Sequence, residues 1–208
     1  MKLLIIAATS FEIAPFARLN RSAEVLISGV GIASTAYQLT RQLMTSSYDL
    51  VIQAGIAGTF SNSLNHGDVV LVDKDIFADI GIQENNKFST LLEAGFASKN
   101  EYPFPDGWLH NYTPEINISP LKKVSAATVS TISDSIEDRE RIVHKFDPCI
   151  ESMEGAALHY VCLQQKTKFL QLRSISNHVG IRDKSKWHIA KAIESLNIKL
   201  HDLVELIK

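Results

Sequence analysis

The chain has 208 residues, 45% of them apolar, which is enough to bury a core without staples and too apolar for a disordered chain. Its 21 basic and 23 acidic residues leave a formal charge of −2, so it carries no electrostatic footprint for nucleic acid or an anionic membrane. Two cysteines, Cys149 and Cys162, make neither a disulfide framework nor a zinc-type pair, and the seven histidines show no compact ligand spacing, so neither metal nor cofactor is expected.

The opening residues 1–10 are apolar but run straight into Phe11-Glu12 with no small-residue cleavage site. Leu3–Ala8 therefore reads as a buried first strand rather than a signal peptide. Glu24–Ser28 reads as a strand, Ala33–Met44 as a helix, and Leu50–Gln53 as a strand that ends in a turn at Ala54–Gly58. Val69–Val72 is a further strand after the turn-like His66-Gly67-Asp68. Residues 95–120, with Pro103, Pro105, Pro114, Pro120 and Trp108, are the least regular stretch, and such a loop is expected to be a lid or an interface. Then come a strand at Lys123–Ala127, helices at Ile136–Lys145 and Gly155–Gln164, and a strand at Phe169–Ser176. In the terminal helix Trp187, Ala190, Ile193, Leu196, Leu200, Leu203 and Ile207 recur every three to four residues. No apolar run approaches the ~18–20 residues of a spanning helix. The alternation predicts an α/β sandwich, one domain over 1–208, with helices on both faces of a sheet, in a cytoplasmic protein.

Ligands on open α/β sheets bind beyond the carboxyl ends of strands. The polar and glycine residues expected there are Thr9-Ser10-Phe11-Glu12, Gly29-Val30-Gly31, Gln53–Gly58 and Ser176-Asn177, joined by Glu151-Ser152-Met153-Glu154 before a helix. Taken singly, each has a plainer reading. Thr9-x-x-Glu12 matches a capping box, Glu154 suits a helix dipole, and Asn177 suits a turn. Asp183 and Arg182 suit a solvated pair. Gly29-Val30-Gly31-Ile32-Ala33-Ser34 is close to the dinucleotide fingerprint, but Asp49 precedes the next strand instead of ending it, which favours a tight turn into a helix.

Together and in order, the opening strand with Glu12, SGVG at 28–31, AGIAG at 54–58, HGDVVLVD at 66–73, SMEGAA at 152–157 and RSISN at 173–177 resemble the nucleoside phosphorylase and nucleosidase superfamily. ADIG at 78–81, followed shortly by a helical stretch, and SNHVGIRDKSKW at 176–187 are similar to its futalosine hydrolase branch. The resemblance implies a three-layer α/β/α sandwich with a mixed central sheet, forming a homodimer or higher homo-oligomer and binding a small purine nucleoside. Glu154 would hold the ribose 2′- and 3′-hydroxyls with Met153 against the sugar, and Glu12 would orient and deprotonate the attacking water. Asn177 would face the N7 edge of the purine, with Thr128 and Val129 beside the base. Gly31, Ile56, Ala57 and Gly58 would complete the substrate site.

Breaking a ribosyl C1′–N9 bond builds positive charge on the sugar and electron density on the base, which is what two carboxylates and a hydrogen-bonding residue can meet. Adenosine-type members place an aspartic acid at the position of Asn177. An amide cannot titrate, but its donors and acceptor suit the O6/N7 edge of a 6-oxopurine. Phosphorylase relatives carry an arginine near Gln53 and a serine near Ile56, both replaced here, so water is the expected nucleophile. The implied reaction is hydrolysis of futalosine to hypoxanthine and dehypoxanthine futalosine, in menaquinone synthesis. Phe11, Phe77, Phe104 and Trp108, with Arg182 or Lys184, are candidates for receiving the carboxylate extension beyond the ribose, and Asp183 is a weaker candidate acid. The rivals are a methylthioadenosine/adenosylhomocysteine nucleosidase, a purine nucleoside phosphorylase, and a non-catalytic nucleoside-binding protein.

Overall fold

The computed structural model describes residues 1–19, 22–85, 87–180 and 183–208, and of Lys184 the backbone alone. The elements in chain order are β1 (Leu3–Ala7), α1 (Ser10–Leu19), β2 (Ala23–Ile27), α2 (Ile32–Thr45), β3 (Leu50–Thr59), β4 (Val69–Phe77), β5 (Gly81–Glu84), β6 (Lys87–Thr90), β7 (Leu109–His110), β8 (Lys123–Thr128), α3 (Ile136–Phe146), β9 (Ile150–Ser152), α4 (Gly155–Gln164), β10 (Phe169–His178) and α5 (Ile189–Ile207).

Strand alternation sorts the core into layers. Leu3, Ile5 and Ala7 of β1 face Ile13 and Phe16 of α1 and the Leu196, Leu200 and Leu203 stripe of α5. Leu4 and Ile6 face the other way, onto Leu39 of α2 and Leu158, Val161 and Cys162 of α4. Helices therefore cover both faces of a mixed sheet, as expected. Helix α3 packs through Ile142 over Phe60, Ile76 and Val179.

The sheet also curls. β1 pairs in parallel with β2 and β3, forming an open wing. β3 pairs with β10, β10 with β4, β4 with β8, β8 with β9, and β9 with β3 again, so these five strands close into a ring.

Three expectations are corrected here. Ala54–Gly58 is not a turn, because β3 runs on to Thr59 with β10 beside it throughout. Two glycines hide that strand from a propensity reading, yet a glycine inside a strand marks a close approach. The stretch after Ala78–Gly81 is not helical but an antiparallel hairpin of β5 and β6. Residues 95–120 line no part of the cleft described below. They add β7 to the edge of β4, Asn111 Nδ2 donates to the Phe169 carbonyl at 2.9 Å, and Phe169 N–H donates to Thr113 Oγ1 at 3.1 Å. Trp187 lies just before α5, outside the helix. Among the described residues no helix is long and apolar enough to cross a membrane.

Candidate active site

An open cleft of about 300 Å³ lies where β1 stops. Its lining includes Thr9, Phe11, Glu12, Val30, Ile56, Ala57, Gly58, Met153, Glu154, Ser176 and Asn177. β1 pairs with β3 only as far as Gln53, and β9 joins β3 only from Gly58. Between them β3 has an unpaired edge, and the cleft opens onto it.

Glu12 serves this edge and its own helix at once. Thr9 Oγ1 accepts Glu12 N–H at 3.4 Å, and Glu12 Oε2 accepts Thr9 N–H at 3.0 Å, so the capping box is made. The other oxygen, Oε1, accepts the Ile56 N–H at 3.1 Å, and the residue is 8% exposed in the cleft wall. The capping and cleft readings of Glu12 are therefore compatible.

Glu154 stands at the capping position of α4, but its side chain makes no bond to that helix. Its Oε1 accepts Gly31 N–H at 3.0 Å, and its Oε2 lies 3.4 Å from Arg173 Nη1. Gly31, at φ 92°, thus spends its N–H on a carboxylate instead of on the cleft.

Arg173 lies beneath both acids, 1% exposed, with Nη2 donating to Gln53 Oε1 at 2.8 Å and Nη1 to the Ile56 carbonyl at 3.4 Å. Gly55 makes the space: a Cβ there would stand 2.4 Å from Arg173 Nη1 and 3.2 Å from Glu12 Oε1. The available signal was a cation set in the apolar run of β10, since a charge in a doubly covered strand needs a buried partner.

Asn177 reaches the cleft through a bulge. The register of β10 on β3 shifts between Ile175 and Asn177, so Ser176 and Asn177 both line the cleft. Ser176 Oγ donates to Asn177 Oδ1 at 2.8 Å, and Asn177 Nδ2 donates to the His178 carbonyl at 3.1 Å. That bond uses one of the two amide hydrogens.

The lining also holds Ile132, Glu151, Trp187, Ile189 and Ile193. Burial raises the Glu151 carboxyl above its ordinary range, although Ser133 donates to it through N–H and hydroxyl. Thr128 and Val129 are fully buried and outside the lining, and the Thr128 hydroxyl is spent on Asp75 at 2.9 Å. Of the four candidate aromatics, Phe11 alone lines the cleft. Phe77 and Phe104 cluster with Tyr160, and Trp108 sits under Lys74. Asp183 is exposed and bonded to Ser185, which holds its carboxyl below the usual range, the wrong direction for a proton donor. Arg182 and the side chain of Lys184 lie outside the described residues. Among the described residues no three His, Cys, Asp or Glu side chains group as metal ligands.

The family model described as the phosphorylase superfamily matches residues 16–208. The chain is 26% identical over 179 residues to a futalosine hydrolase of Thermus thermophilus, covering 82% of this chain and 76% of that relative. It is 30% identical over 165 residues to a 5′-methylthioadenosine/S-adenosylhomocysteine nucleosidase of Bacillus subtilis, covering 75% and 68%. In fold it is similar to the native structure of futalosine hydrolase of Helicobacter pylori, with a TM-score of 0.82 at 18% identity over 99% of this chain and 97% of the other.

Proposed function

The chain belongs to the phosphorylase superfamily, and from that premise we propose that it hydrolyses the N-glycosidic bond of futalosine, releasing hypoxanthine and dehypoxanthine futalosine. The observation that carries this reading is the convergence of Glu12 and Glu154 on one cleft that Asn177 also lines.

Glu154, anchored by Gly31 N–H and Arg173, holds the ribose hydroxyls and offsets the positive charge that develops on the sugar, with Met153 against the ring. Glu12, oriented by Thr9 and Ile56, takes the proton of a water directed at C1′. Asn177 donates its remaining amide hydrogen to the N7/O6 edge of the leaving base, where negative charge gathers. Ile56, Ala57 and Gly58 form the floor beneath the nucleoside.

Water is favoured over phosphate on electrostatic grounds. Three carboxylates, Glu12, Glu151 and Glu154, line the cleft, while none of its described lining residues is a lysine or arginine. A phosphate dianion entering there meets like charge at short range. Arg173 is engaged below the floor by Gln53, Ile56 and Glu154.

The same reading places the enzyme in the cytoplasm, in menaquinone synthesis, as a homodimer. Phe11 and Val30 are exposed at the mouth of the cleft, and a second copy covering them would shield the reaction from bulk water.

The test is a chromatographic product assay with futalosine, inosine and methylthioadenosine, each with and without phosphate. Hypoxanthine from futalosine without a phosphate requirement is the expected result. Adenine from methylthioadenosine would favour the adenosine-type reading, and it would overturn the role given to Asn177.

A further inference from the structure

Helix α4 begins at Gly155 behind a residue that does not cap it, since the Glu154 side chain turns to Gly31 and Arg173. A buried helix start without acceptors is costly. The acceptors come from outside: Ser152 Oγ takes Gly155 N–H at 3.3 Å, and Thr128 Oγ1 takes Ala156 N–H at 2.8 Å. Thr128 has one hydroxyl proton, which it donates to Asp75 Oδ1 at 2.9 Å. That oxygen also accepts Ile76 N–H at 2.8 Å. Thr128 and Asp75 are both fully buried. The missing side chain of Gly155 lets the carboxyl approach, because a Cβ there would stand 2.2 Å from Asp75 Oδ2 and 2.1 Å from Gln171 Nε2.

We propose that Asp75 is a positioning residue for Glu154: through Thr128 it caps α4 from outside the helix and so leaves the Glu154 carboxylate free for the ribose. The proposal rests on reading Glu154 as the sugar ligand. A cap normally comes from the residue at the helix start. Here that residue is needed in the cleft, and strands β4 and β8 supply the cap instead. An anionic Asp75 makes the Thr128 oxygen a better acceptor and complements the positive end of the helix. The groups facing Asp75 are Thr128 of β8, Gln171 and the cationic Arg173 of β10, and the start of α4, whose His159 also faces Gln171 and Arg173. Burial pushes the Asp75 carboxyl up to about 7, so its ionisation falls near neutral pH.

Affinities for inosine and for free hypoxanthine, measured by calorimetry in a Glu12→Gln background, separate the sugar contact from the base contact. Thr128→Val and Asp75→Leu are expected to weaken inosine by roughly 5- to 30-fold, the size of one lost cap. They should leave hypoxanthine within about twofold and expose the Ala156 amide to hydrogen exchange. Thr128→Ser keeps the acceptor chain and should bind inosine like the parent, while Asp75→Asn keeps a neutral acceptor and should bind inosine like the parent at low pH. Inosine affinity should rise with pH through about 7 in the parent, and Asp75→Asn, which does not titrate, should flatten that rise. An equal loss on inosine and hypoxanthine, or an unchanged inosine affinity in folded Thr128→Val, would overturn the proposal. Should Asp75→Leu fail to fold, the pH profile of Asp75→Asn decides. An enzyme that left futalosine intact would sink the substrate assignment and leave these affinities to speak for Asp75.

Discussion

Ile56 gives its backbone N–H to Glu12 Oε1 at 3.1 Å, at the stretch of β3 that has lost β1 and not yet gained β9. A side chain thus stands where a strand would continue, and the carboxylate we propose as general base is tied to β3 at the cleft wall. Glu12→Gln keeps an acceptor for Ile56 but cannot take a proton. Single-turnover hydrolysis should fall roughly 100- to 10 000-fold, while calorimetric nucleoside affinity stays within a few-fold. Hydrolysis at the parental rate would remove Glu12 from the chemistry.

Asn197 of α5 is spliced into α1 beside the same residue. Its Oδ1 accepts Phe16 N–H at 2.9 Å, and its Nδ2 donates to the Glu12 carbonyl at 2.8 Å, bridging two backbone groups one helical turn apart. Asn197→Leu would leave both buried groups without partners. Chemical denaturation should show a loss of about 1–3 kcal/mol per orphaned group, and kcat should fall with it because Glu12 shares the displaced turn.

Asn177→Asp puts a titratable acid of the same size at the part of the cleft wall where we propose that the purine edge lies. The variant should gain cleavage of methylthioadenosine and lose preference for 6-oxopurine nucleosides, read as adenine against hypoxanthine release. An unchanged base preference would show that the discrimination lies elsewhere in the cleft wall.

Two buried groups below the site titrate in opposition. Burial pushes His159 down to about 4 and Asp75 up to about 7. The unfolded chain protonates the histidine first, so His159 withdraws stability as pH falls from its ordinary value near 6.5 toward 4. The folded chain holds its proton on Asp75 longer, so Asp75 withdraws stability as pH rises from 3.8 toward 7. The two trends offset each other in the shared window. Asp75→Asn should therefore make the protein markedly more acid-sensitive between pH 6.5 and 4, measured by denaturation at stepped pH. A variant with the parental pH profile would show that Asp75 does not titrate there.

The layer arrangement was legible in the sequence from local pattern, whereas the two acids were candidates by position whose roles came only from the family resemblance of the segments around them. Apolar runs alternate with helical spacing, and Glu12 and Glu154 stand where strand ends meet helix starts. The remainder depended on pairings between distant segments. The strand through Gly55 and Gly58 looks like a turn until Arg173 and Asn177 are seen to need that space. The bulge at Ser176 is set by the register of β10 on β3, which no local pattern encodes. Thr128 sits beside the right residues in sequence, but its hydroxyl turns inward because the start of α4 is there to meet it. Ile193 was legible as part of an apolar helical repeat, and only the tertiary placement of α5 and the residues before it shows that Ile193, Ile189 and Trp187 border the cleft.

The closed ring of five strands also dictates when the site comes into being. Its closure requires Val51 to find Phe169 and Gly58 to find Glu151, contacts between parts of the chain made far apart in synthesis. Such contacts form only after a large loss of chain entropy, which places them late in folding. A nascent chain that has not yet released Phe169–His178 already contains both Glu12 and Glu154, but it has no cleft to put them in. Catalytic competence thus arrives with the last strand, and until then the edges of β3 and β4 stand open to the wrong partner.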